Sequence, residues 1–252
     1  RDTGPAIALA MRRLLEAAPD AVAAVLPADH RIEELGRFRA ALSAAAGAAR
    51  RGELVLLGVL PDRPATGFGY VVPAARPDPG RAVPVARFTE KPERSEAERL
   101  IAGGALWNAG LFVWRARSFW EALVRHAPEV AHPVEAFVAS GRGGHWEAAP
   151  RLSIDYALME RARGVSVVPL DAGWDDVGGW EAVLRLARRG DAGPLRAAPL
   201  EGAPEGSAVL WVGEGPPPRA LGMAAEPLLV VKGPHGLLVV PRDRADAIKD
   251  RI

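Results

Sequence analysis

The chain has 252 residues, 49% of them apolar, enough for one sizeable core and a small second domain, since single cores stop growing near about 250–300 residues. Its 32 basic and 31 acidic side chains leave a formal net charge of +1 with no basic block, which excludes the electrostatic footprint of a protein that binds nucleic acid or an anionic membrane. Cysteine is absent, which excludes disulfides, thiolate catalysis and cysteine-ligated zinc.

In chain order, PAIALAMRRLLEAA (5–18) predicts a helix opened by Pro5, and AVAAVL (21–26) a strand. A helix around 33–50 and a second apolar strand, LVLLGV (54–59), follow, then a β-like run YVVP and the alternating strand AVPVARF. SEAERLIAG (95–103) and SFWEALVRHA (118–127) each begin Ser-x-x-Glu, the pattern of a capping box, and flank the buried strand LFVW (111–114). SIDYALMERAR (153–163) reads as an amphipathic helix with Ser153 as N-cap, ahead of the strand VSVVPL (165–170) and a helix at 180–189. The stretch RRGDAGPLRAAPLEGAPEGS reads as a connector to AVLWV (208–212), PLLVV (227–231) and GLLVV (236–240), with a short helix from about Arg242.

Short apolar runs buried on both faces and alternating with helices predict an α/β, Rossmann-like, mostly parallel sheet with helices on both faces. The expected division is a main domain over residues 1–190 and a small β-rich C-terminal domain over 191–252. The latter's short strands cannot bury both faces alone, so docking on the main domain or on a second copy, as in a homodimer, is expected. No apolar run approaches the ~18 residues of a membrane helix and no signal-peptide pattern is found, so no membrane partner and a cytoplasmic location are expected.

Several residues stand where chemistry is done. Asp29 directly follows an apolar strand, and in open parallel sheets ligands bind beyond the carboxyl ends of the strands. Asp175 and Asp176, in AGWDDVGGW, follow another strand by a few residues. Two carboxylates from separate strand ends, without cysteine or a histidine cluster, make an oxygen-donor site suited to Mg²⁺ before zinc. Each has an ordinary alternative as a turn or helix-cap residue, and it is the pairing of Asp29 with the later carboxylates that favours the metal.

PATGFGY (64–70) offers Gly69, where backbone can approach a ligand closely or simply turn. FTEKPE (88–93) sets Glu90 to accept sugar hydroxyls and Lys91 to hold a phosphate, against the alternative of a solvated turn. Lys91 is one of only three lysines, with Lys232 and Lys249, in a chain that otherwise uses arginine. Asn108, in a Trp-Asn-x-Gly turn, carries an amide that can serve a polyol. The five histidines are scattered, and His30 beside Asp29 is the only candidate for more.

Six segments in register, LPADH (26–30), TGFGY (66–70), FTEKP (88–92), WNAG (107–110), SIDYALME (153–160) and GWDDVGGW (173–180), resemble the mannose-1-phosphate guanylyltransferases, as does the opening RDTGPAIALA. The resemblance implies transfer of GMP from GTP to mannose 1-phosphate, giving GDP-mannose and pyrophosphate. It implies that Asp29 and Asp176 hold Mg²⁺, that Gly69, Glu90 and Asn108 contact the sugar, and that Lys91 clamps its phosphate. Asp175 sits where relatives often carry a small polar residue. The family's Gly-rich phosphate loop is missing from the chain, and omission of an N-terminal portion is expected, so that the 252 residues by themselves should not turn over. A related enzyme using another nucleotide or sugar, and a non-catalytic sugar-phosphate-binding domain, are the competing readings.

Overall fold

The computed structural model describes residues 2–213 and 215–245. The chain forms two compact units that divide between Trp174 and Asp175. In the first unit the elements run α1 (Thr3–Ala17), β1 (Val22–Val25), α2 (Leu35–Arg50), β2 (Leu54–Val59), β3 (Tyr70–Pro73), β4 (Val83–Thr89), α3 (Arg94–Ala102) and β5 (Leu106–Arg115). They continue with α4 (Ala116–His126), α5 (Pro128–Ser140), α6 (Gly143–Ala148), a π-helical turn over Asp155–Met159 and β6 (Val165–Pro169).

The six strands lie in the order β1-β5-β2-β6-β4-β3, with β3 also pairing β5. Side-chain alternation divides each central strand between two cores. Leu54 and Leu56 of β2, with Phe112 and Trp114 of β5, pack under α1, α4 and α5. Val55, Leu57, Leu111 and Val113 face the other way, onto Ala41, Ala45 and Ala48 of α2. Burying each large aliphatic side chain of this kind contributes about 1.5–3 kcal/mol before entropy is counted.

The expected α/β class with a β-rich C-terminal region is what the chain forms, but the strand directions differ from a mostly parallel sheet. Among the described residues β2–β6 is the one parallel ladder of this sheet; β5 runs antiparallel to β1, β2 and β3, and β4 antiparallel to β3 and β6. A run buried on both faces reports a central strand, and burial carries no information about its direction. Because β5 is threaded between β1 and β2, the carboxyl ends of β1, β2 and β6 still share one edge. The start of β5 lies at that edge too, with Val59 opposite Trp107.

The second unit holds α7 (Trp180–Arg188), β7 (Leu195–Pro199), β8 (Ala208–Val212), β9 (Leu228–Lys232) and β10 (Leu237–Pro241), in a sheet ordered β10-β9-β8-β7. Leu184 and Ala187 of α7 pack with Leu210 and Leu229, so this helix belongs with the C-terminal sheet rather than with residues 1–174. β7 lies inside the expected connector; its sequence LRAAP lacks the β-branched and aromatic residues that mark a strand. The helix expected from about Arg242 begins as a 3₁₀ turn over 242–245, and its continuation lies outside the described residues.

Neither expected capping box forms. α3 starts at Arg94 and α4 at Ala116, which puts Ser95 and Ser118 inside their helices; Ser118 Oγ instead accepts from Arg115 Nε at 3.1 Å. Ser153 does act as a cap, accepting from Tyr156 N at 3.4 Å, but the helix it opens is π-helical.

Candidate active site

Four of the expected residues converge in the first unit. Gly69 immediately precedes β3, and its carbonyl accepts from Asn108 N at 2.8 Å. A β-carbon at Gly69 would collide with Glu90 Oε2 and sit 3.3 Å from Asn108 Cβ, so glycine lets these two side chains close over the backbone and any other residue would displace the Glu90 carboxylate. Lys91 Nζ lies 3.3 Å from Glu90 Oε1. The lysine side chain is about half exposed, whereas Glu90 is only 6% exposed. Lys91 holds a left-handed backbone, φ 45°, pinned by its N–H donating to Phe68 O at 3.2 Å. Such strain in a non-glycine residue is retained where the surrounding structure requires it, and it clusters at functional sites.

Asn108 lies within β5 rather than in a turn ahead of it. The strand is kinked there by Gly110, φ 66°, whose N–H donates to Asn108 Oδ1 at 3.1 Å. Asn108 Nδ2 donates to Asp155 Oδ1 at 2.7 Å, so both ends of the amide are engaged inside the protein.

The electrostatics of this cluster are unusual. Glu90 Oε2 is buried without a hydrogen-bond partner, a state that costs free energy unless a ligand donor completes it. Burial pushes the Glu90 carboxyl up to about 7, Asp155 adds to the rise, and Lys91 opposes both. Asp155 is raised as well, chiefly by burial, against the hydrogen bond from Asn108. Glu90 N donates to Glu160 Oε1 at 3.4 Å, so the π-helical turn bears on the pocket from both of its ends.

Sequence reasoning does not single out Asp155 or Glu160. The helical pattern of SIDYALMERAR gives no sign of the i to i+5 bonding that sets them. A π-helical turn, once seen, is itself a pointer, since such turns recur at functional sites.

An aromatic row adjoins the pocket. Phe68 meets Trp107 edge to face at 4.9 Å and Trp174 at 5.7 Å, and Arg63 lies 5.0 Å from the centre of the Trp107 ring. Trp174 Nε1 donates to His30 Nδ1 at 3.1 Å, which leaves the His30 proton on Nε2. Asp29, next to His30, is exposed just beyond the end of β1.

Asp175 and Asp176 open the second unit and separate in role. Asp175 Oδ1 accepts from Val177 N at 2.9 Å, and its Oδ2 is ion-paired with Arg185 of α7. Its charge is therefore compensated within the unit, and Val177 takes a left-handed backbone, φ 47°, as the turn closes. The N-cap of α7 is Gly179, without a side-chain bond, so neither aspartate caps that helix through its side chain. Asp176 Oδ2 approaches Gly178 closely enough that a β-carbon there would displace the carboxylate.

Among the described residues no three histidine or carboxylate side chains converge as a ready metal cage. Mg²⁺ is commonly held by one or two carboxylates plus substrate phosphates, and Asp29 and Asp176 are each hard oxygen donors of the type it takes. No helix of the described residues is long and apolar enough to cross a membrane.

The first unit is thus a mixed α/β sheet that gathers Gly69, Glu90, Lys91, Asn108 and Asp155 into one polar cluster where β3, β4 and β5 meet. Residues 1–191 match the nucleotidyl transferase family, and the chain belongs to it. It is similar to the alginate biosynthesis protein AlgA of Pseudomonas aeruginosa, 33% identical over 99% of this chain and 53% of the relative. With the mannose-1-phosphate guanylyltransferase of Escherichia coli it shares 37% identity over 74% of this chain and 42% of that protein. Among solved structures, mannose-1-phosphate geranyltransferase from Thermus thermophilus superposes with a TM-score of 0.80 at 30% identity, covering 100% of this chain and 74% of that one. The chain spans about half the length of the curated relatives it matches.

Proposed function

We propose that the protein transfers GMP from GTP to mannose 1-phosphate, forming GDP-mannose and releasing pyrophosphate. The observation that carries this reading is the closure of Glu90 and Asn108 over Gly69, with an unpartnered acceptor, Glu90 Oε2, beside the Lys91 ammonium. A sugar hydroxyl supplies the donor that Glu90 lacks, and Lys91 turns from Glu90 to the sugar phosphate as a point charge. The names of similar proteins support mannose as the sugar and guanine as the base.

The reaction needs no covalent nucleophile. A phosphate oxygen of the sugar phosphate attacks the α-phosphorus of GTP in line, and pyrophosphate leaves, so the protein's task is positioning and charge neutralisation. Lys91 offsets the charge of the attacking phosphate, Gly69 lets the sugar approach the backbone, and the buried carboxylate fixes the hydroxyl face. Asp29 and Asp176 would hold Mg²⁺, which when bound neutralises phosphate charge. A reaction that consumes GTP suits the cytoplasm. A homodimer through the second unit is consistent with the exposed Leu237 and Val239 of β10, and sedimentation of the purified protein tests it.

The deciding experiment is pyrophosphate release by the gene product in its full natural length, with mannose 1-phosphate, Mg²⁺ and each nucleoside triphosphate in turn. Release with GTP in preference to the others is expected. Release with another nucleotide would move the base assignment, and no release with any of them would leave a sugar-phosphate-binding domain.

A further inference from the structure

Asp155 ties the pocket together. It accepts from Asn108 Nδ2 while Gly110 N donates to Asn108 Oδ1, an acceptor and a donor that together admit one amide orientation. Asn108 N in turn grips Gly69 O, and Glu90 abuts Gly69 from its other side. The result is a contiguous line, Asp155 to Asn108 to Gly69 to Glu90. Asp155 is itself set by the π-helical turn it opens, where Glu160 N donates to Asp155 O at 2.9 Å, and by Thr3 Oγ1, which accepts from the preceding Ile154 N at 3.0 Å.

We propose that Asp155 is a positioning residue of the sugar-phosphate site: it holds Asn108 in one orientation, and through the line from Asn108 to Gly69 to Glu90 it makes capture of a sugar phosphate depend on pH. This rests on the reading of the pocket given above. The charged groups that act on Glu90 are Asp155, Lys91 and Glu160; those that act on Asp155 are Lys91 and Asp2, with Asn108 as its neutral hydrogen-bond partner. Two desolvated carboxylates share a nearby ammonium, and with Glu90 raised to about 7 its protonated and ionised forms are about equally populated at neutral pH. As a protonated acid Glu90 donates to a sugar oxygen; as a carboxylate it accepts from a hydroxyl. Asp155 sets the pH at which one gives way to the other.

The test measures binding of mannose 1-phosphate by calorimetry between pH 5.5 and 8.5 for the full natural-length protein, for Asp155→Asn and for Asp155→Ala. Alongside it, ¹³C NMR titration of the glutamate carboxylates follows Glu90 without sugar, with its signal assigned through Glu90→Gln. The alanine variant, which leaves Asn108 without its acceptor, should bind about tenfold more weakly at every pH. The asparagine variant keeps that acceptor and should bind within about threefold of wild type at pH 7, while the Glu90 midpoint, and the pH dependence of binding with it, falls by at least about half a unit. Wild-type affinity in the alanine variant, or an unmoved Glu90 midpoint in the asparagine variant, would overturn the role of Asp155. Failure of the wild-type protein to bind mannose 1-phosphate at all would instead overturn the pocket's assignment to that sugar, and the titration distinguishes the two failures.

Discussion

At the scale of single residues, the Glu90 cluster is held at a cost to the fold. Glu90 is buried, and its carboxyl is raised well above its ordinary value. A group raised in the folded state stabilises the protein fully below its unfolded value and loses that contribution as pH climbs through the folded one, here between about 4.5 and about 7. Glu90→Gln should therefore raise stability at pH 8 by about 2 kcal/mol relative to wild type, with little change at pH 4, and lower turnover sharply. Urea unfolding at the two pH values checks the first part; equal effects at both would remove Glu90 from this role. The two aspartates of the GWDDVGGW segment should also part company. Asp176→Asn is expected to abolish turnover, while Asp175→Asn, which weakens only the pairing with Arg185 and the bond from Val177 N, is expected to cost less than about tenfold. Equal, small losses in a pyrophosphate-release assay would count against Asp176 as a metal ligand.

At the scale of elements, α1 is tethered to the segment that presents Asp155. Thr3 Oγ1 accepts from Ile154 N, and Gly4 N donates to Leu152 O at 3.0 Å. Replacing Thr3 with valine keeps the shape but leaves the Ile154 N–H unpaired in a buried place, and should cost about 1–2 kcal/mol of stability. Hydrogen exchange at residues 152–160 should rise with it, and unchanged protection there would show that the tether is idle. What the sequence made legible at this scale was the position of each apolar strand and most helices, because periodicity and burial are written locally. The direction of β5 was not, since Leu106–Arg115 is apolar whichever way it runs. β7 was hidden by an Ala- and Pro-rich composition, and the capping boxes misled because α3 starts one residue before Ser95 and α4 two residues before Ser118. Glu90, Lys91, Asn108 and Gly69 were legible as a set; Asp155 was not, because its role depends on a π-helical turn that ordinary helical spacing conceals.

At the scale of the whole molecule, each unit has its own core and its own fastening. In the second, Arg242 donates from Nε and Nη2 to the two oxygens of Glu181 at 2.6 and 2.8 Å, and from Nη1 to Gly206 O at 2.7 Å, joining α7 to the sheet. Arg242→Ala should loosen α7 by about 2 kcal/mol, read as faster amide exchange over 180–188 with β2 and β5 unaffected. Faster exchange spread evenly over both units would contradict that independence. The joint between the units falls between Trp174 and Asp175, with Gly69, Glu90, Lys91, Asn108 and Asp155 all on one side and Asp176 on the other. On the proposed assignment, the sugar contacts and one metal carboxylate, Asp29, are written before that joint and the other, Asp176, after it. If the proposed roles are right, cutting the one peptide bond after Trp174 should part affinity from chemistry, leaving the sugar contacts on one piece and Asp176 on the other.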